Sequence, residues 1–191
     1  MHRVTLGVVL LVAFGLPAVA STVLRFGVKD LTTRSAVIIH GKVTSKTARD
    51  VGRGVIVTDY KIEVYEAVKG VKGKTFLFTA YGGILEKRGS AISGAPKYSV
   101  NEEVFLFLSK SNKKGWRQAI GLAQGKYTIR AVKGKKMAFR DLEGLRLMDR
   151  QSGAVEAAKK ESGVAFDQLL KDVKTTVKAQ TKKAETPKRG G

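Results

Sequence analysis

The chain has 191 residues, with 36 Lys and Arg against 16 Asp and Glu, a formal charge of +20, and no cysteine. That length suits one domain with a sizeable core. The missing cysteine excludes disulfides, thiolate metal sites and cysteine nucleophiles. The charge points to polyanionic surroundings or partners: nucleic acid, anionic lipid head groups or acidic glycans. The basic residues are scattered along the whole chain, so a solvated basic surface accounts for the charge equally well.

Residues 1–20 read as a secretory signal peptide. His2 and Arg3 start it, Leu6 to Leu16 is an apolar run too short to span a bilayer comfortably, and Ala18-Val19-Ala20 fits a small-x-small cleavage site. No cysteine follows the site, so no lipoprotein anchor is expected, and no later segment is apolar and long enough to cross a membrane. The expected location is exported, periplasmic or secreted. Residues 21–35 form an N-terminal segment with room for one short helix, on the near-helical spacing of Leu24, Val28 and Leu31.

Residues 36–148 read as a β domain. Ala36–Lys46 begins with Val37-Ile38-Ile39, apolar on both faces, and contains Gly41, a signal for a bulge or sharp bend. Val55–Gly70 alternates: Ile56, Thr58, Tyr60, Ile62 and Val64 share one face, and Asp59, Lys61 and Glu63 the other. It ends in the turn Lys69-Gly70. Lys74–Ala80 follows as a strand and Gly82-Gly83 as a break. Ile84–Tyr98 is the longest irregular connection, and such loops are where binding usually sits. Its Lys87, Arg88, Lys97 and Tyr98 are the candidate ligand contacts. Val104–Leu108, V-F-L-F-L, is apolar on both faces and should be the most buried strand. Trp116–Gly121, Lys126–Val132 and Lys135–Arg140 complete the strands, the last two joined by a tight hairpin at Lys133-Gly134. The fold class is mainly β: a small antiparallel OB-like barrel or sandwich with a C-terminal amphipathic helix.

Residues 149–180 hold a linker and that helix. Ser162 is the expected N-cap, and Phe166, Leu169, Leu170, Val173 and Val177 line one face. Residues 181–191 read as a basic disordered tail.

No catalytic, cofactor or metal constellation stands out. Glu102 and Glu103 point to opposite faces of a strand and do not pair. Asp59, Glu63 and Glu66 read as a solvated face with cross-strand ion pairs. His40 lacks a visible nucleophile or orienting group. The glycine stretches match no phosphate-binding loop. A basic barrel with aromatics suits single-stranded nucleic acid, but export removes it from that partner, which is therefore disfavoured.

Thr58–Gly70, Gly82-Gly83, Ser93–Tyr98, Asn101–Leu108 and Ile120–Tyr127 together resemble a type of exported bacterial β domain. Its pattern is a T-x-Y/F-x-I-x-V strand ending in K-G, then G-G, G-x-P, an E-E-V-x-x-F-L strand and G-x-x-Q-G. The resemblance spans residues 36–140 and implies a secreted β domain with no catalytic residues to transfer. The strand ending in K-G is also distantly similar to netrin-like domains and tissue metalloproteinase inhibitors, which are OB-like barrels. Their inhibition uses an N-terminal cysteine, so that mechanism does not transfer. The expected function is a non-enzymatic exported binding domain, engaging a polyanion or protein through an anionic envelope glycan, a lipid head group or a protein surface. The alternatives are a protease inhibitor or protease accessory domain, a nucleic-acid-binding domain, and an envelope hydrolase using His40.

Overall fold

The computed structural model describes residues 20–159 and 161–185. The expected signal segment, apart from Ala20, and the end of the expected tail lie outside them.

In chain order the elements are β1 (Ser21–Leu24), α1 (Val28–Arg34), β2 (Val37–Asp50), β3 (Ile56–Lys69), β4 (Thr75–Tyr81), β5 (Gly83–Leu85) and β6 (Arg88–Ser90). Next come β7 (Glu103–Leu108), a 3-10 turn (Leu122–Gly125), β8 (Lys126–Val132), β9 (Lys135–Phe139), β10 (Leu145–Met148), β11 (Val155–Ala157), β12 (Val164–Ala165) and α2 (Phe166–Glu185). The main sheet runs β12-β9-β8-β7-β2-β3-β4, antiparallel throughout. A smaller sheet, β1-β10-β11, has β1 parallel to β10, and β5-β6 is a separate hairpin. The protein is therefore mainly β with a C-terminal helix, and no strand pairing closes the main sheet among the described residues.

The V-F-L-F-L run builds the core from both sides. Val104, Leu106 and Leu108 face a cluster containing Val37, Ile39, Ile62, Phe78 and Tyr98. Phe105 and Phe107 face a second cluster, where Leu31 of α1 meets Phe166, Leu169 and Val173 of α2. All five residues of the run are fully buried, so a strand without alternation serves two cores at once. The face of α2 expected from its period is the face it buries, including Leu170 and Val177.

Gly41 sits at a register shift between β2 and β3, and a Cβ there would collide with the Glu63 carbonyl oxygen. Gly70 adopts φ +72 in the turn after β3, where a side chain would meet the Ala36 carbonyl. At Lys133-Gly134 both residues have positive φ, the geometry of a tight two-residue hairpin.

Four expectations are corrected. Leu24 belongs to β1, and α1 starts only at Val28. Ser162 does not cap α2, because Val164-Ala165 first pair with Ala138 and Met137 of β9 and the helix starts at Phe166. The helix continues to Glu185, into the expected tail. Residues 116–121 do not form a full strand: Ala119 makes a single bridge to Leu108. Around that bridge the Ser109 N–H donates to the Gln118 carbonyl (2.8 Å), and the Arg117 N–H donates to the Thr79 carbonyl (2.9 Å). This connector thus links the end of β7 to β4.

Candidate binding surface

The four expected contact residues do not form one site. Lys87 is exposed in the turn between β5 and β6. Arg88 reaches Asp50 at the end of β2 (3.0 Å). Lys97 is exposed beside a cleft of about 210 Å³ that is also lined by Pro96, Lys126, Thr128, Asp141 and Glu143. Tyr98 is a correction: its ring is buried in the first core cluster, 4.7 Å from Tyr60 and 5.8 Å from Phe78 by ring centroids. An apolar interior takes the ring out of reach of any ligand.

The floor of that cleft is an internal ion pair. Lys126 Nζ donates to Glu102 Oε1 (2.5 Å) and to the Lys97 carbonyl (2.6 Å). The Thr128 hydroxyl donates to the same Glu102 oxygen (2.5 Å), and the Ser99 N–H donates to the other (3.0 Å). Burial pushes the Glu102 carboxyl up, but the bonds from Lys126 and Thr128, with the Lys126 charge, outweigh it and hold the group below its ordinary range. Lys126 is lowered by burial, against the pull of Glu102. Three donor bonds converge on this one carboxylate, and a fourth ties Lys126 to the Lys97 carbonyl beside it.

Glu103 points to the opposite face, as the strand's period requires. It takes His40 Nε2 (2.7 Å) and Lys136 Nζ (2.6 Å) on one oxygen. The imidazole lies between Tyr65 and Phe166, with ring centroids at 5.4 and 4.5 Å. Burial lowers the His40 pKa, outweighing the bond and charge of Glu103. His40 does have an orienting carboxylate, supplied by β7 across the sheet, a pairing that the sequence did not reveal. Two aromatic rings pack on it, with Lys136 and Glu66 nearby, and the geometry is that of a satisfied histidine.

The same pattern extends over the molecule. Asp59 is held in a fork by Arg49 (2.6 and 3.3 Å), Glu161 by Arg140 (2.6 Å on each oxygen), and Glu66 by Lys174 of α2. Lys69 Nζ donates to the Thr32 carbonyl and to Gln180 Oε1 (3.2 Å each), tying β3 to both helices. Lys171 and Lys178 lie one turn either side of Lys174 and are exposed, as are Lys72 and Lys74 in the turn after β3.

No protein-family model matches this chain, and no curated protein matches it. Function must therefore be argued from its own residues. Among the described residues no group of three His, Asp or Glu could hold a metal ion, and no helix is long and apolar enough to cross a membrane.

Proposed function

We propose that this protein is a non-enzymatic, exported binding domain that engages a polyanion of the cell envelope or extracellular space. The observation that carries the reading is how the carboxylates are used. Asp50, Asp59, Glu66, Glu102, Glu103, Glu156 and Glu161 each bind a cation of the same chain. Seven of the 16 acids are paired with seven of the 36 basic residues, which leaves 29 basic residues against nine acids, so the outward field is strongly positive. Export rests on the signal-like stretch at residues 1–20. The non-enzymatic reading is supported by His40, whose Nε2 is taken by Glu103 and whose ring is enclosed by aromatics. An OB-like curl is supported by the 117–119 connector, which links β4 to β7.

The test is retention on immobilised polygalacturonate. The reading predicts retention that falls linearly with the logarithm of salt concentration, the signature of counterion release. Passage through the column at low salt would overturn it.

A second reading is favoured by one feature. The β5–β6 hairpin holds Ile84 out, 78% exposed, beside Lys87 and Arg88, which suits a protein partner of protease-inhibitor or protease-accessory kind. Secreted metalloproteases left uninhibited at micromolar protein would remove it.

A further inference from the structure

We infer that the outer face of β2-β3-β4 is the ligand groove, and that it takes a short acidic oligosaccharide through Lys61 and Leu77. The inference rests on the polyanion reading above and names its site.

The register of the sheet builds the groove. Ser45, Lys61 and Leu77 are cross-strand neighbours on three adjacent strands, and Thr47, Asp59 and Thr79 form the next row. Their side chains point away from the core that Tyr60, Ile62 and Phe78 enter. Gly115, in the connector that bonds to β4, forms the far wall. The groove is open and encloses about 490 Å³. That lies within the roughly 300–1,000 Å³ of ordinary ligand sites, whereas the cleft at Lys97, about 210 Å³, falls below it.

The lining decides the ligand class. Ser45 and Thr47 offer hydroxyls along the floor, which can donate and accept as sugar hydroxyls require, and the Thr79 hydroxyl, which donates to Asp59, can still accept. Leu77 is 68% exposed, a single apolar plate of the size of the C–H face of one sugar ring. One such side chain is too little for a lipid chain. Tyr60 and Phe78 also border the groove, but their rings stack on each other at the first core cluster and are not offered to bases. Asp59 is neutralised by the Arg49 fork and accepts the Thr79 hydroxyl (2.5 Å). The net charge of the groove is therefore that of Lys61, which is exposed. A carboxylate-bearing glycan complements all three properties: hydroxyls, one apolar ring face and negative charge.

The experiment titrates the full chain with trigalacturonate, with maltotriose as the neutral control, by isothermal calorimetry at about 0.15 M salt. Saturable trigalacturonate binding, at least about tenfold tighter than maltotriose, is expected from a charge-assisted contact. Lys61→Ala should weaken it about tenfold or more, and Leu77→Ser about threefold or more. A Lys171→Ala/Lys178→Ala double variant, remote on α2, should bind as the parent does. Equal binding of maltotriose, or equal losses from the α2 variant and Lys61→Ala, would overturn the groove. So would an unchanged affinity in both groove variants. Retention of those variants on polygalacturonate would then show that the general polyanion reading survives without this site, while loss of retention by the parent chain would sink both.

Discussion

The two ends of the β2-β3 pair contrast sharply. Near His40 and Glu66, α2 lies over the sheet, and charge there is paired: His40 and Lys136 meet on Glu103, Lys174 meets Glu66, and Lys69 is bound by Thr32 and Gln180. At the other end, on the same face of the sheet, Ser45, Thr47, Lys61 and Leu77 line an open groove. The covered end uses its polar groups to fix the fold, and the open end leaves most of them available. In a chain this basic, the place where polar chemistry is unclaimed is a better guide to binding than the density of lysines.

Breaking the buried interior of the main sheet should have the largest effects. Phe105→Ala removes a fully buried ring packed at 5.0 Å from Phe107 and 5.6 Å from Phe166. A loss of about 3–5 kcal/mol of unfolding free energy is expected in urea titration. Glu102→Ala leaves Lys126 without its carboxylate inside the sheet and should cost about 1–3 kcal/mol by the same measurement.

Acid should loosen the sheet in two steps. Burial holds the His40 imidazole below its ordinary value of about 6.5, so the folded protein binds this proton less tightly than the unfolded chain. The stability carried by neutral His40 is full above that value and falls as pH drops below it. Glu102 and Glu103 are held below the ordinary carboxylate range. Their stabilisation is present above about pH 4.3 and is lost on further acidification. Thermal melts should therefore decline from about pH 6.5 downward, and His40→Leu should flatten the upper part of that decline. A decline of unchanged shape in that variant would remove His40 as its cause.

The open end should barely respond in stability. Lys61→Ala and Leu77→Ser replace exposed side chains and should shift unfolding by no more than about 0.5 kcal/mol, although both are expected to weaken ligand binding. A large destabilisation by either would mean that the outer row is structural, and the contrast between the two ends would fail.

Much of the fold was legible in the chain. The period of Val55–Gly70 placed Tyr60 and Ile62 inward and Asp59 and Lys61 outward, where they are found. The V-F-L-F-L run announced its double burial, and the spacing from Phe166 to Val177 gave the buried face of α2. These signals are local. The β1–β10 pairing joins Ser21–Leu24 to residues more than 120 positions away, and short strands carry too little period to announce it. The site was hidden for the same reason. Lys61 and Leu77 become neighbours only through the β3–β4 register, while Tyr98 lies in a loop-like stretch yet fills the core. The long Ile84–Tyr98 connection drew attention to Lys87, Arg88 and Lys97, but cross-strand geometry assembled the groove elsewhere.

The most direct measurement is amide chemical-shift mapping of the folded domain titrated with soluble oligogalacturonate at moderate salt. The account predicts saturable shifts concentrated at Ser45, Thr47, Lys61, Leu77, Thr79 and Gly115, with the α2 lysines little moved. Shifts spread evenly over all exposed lysines, or no shifts at all, would contradict it.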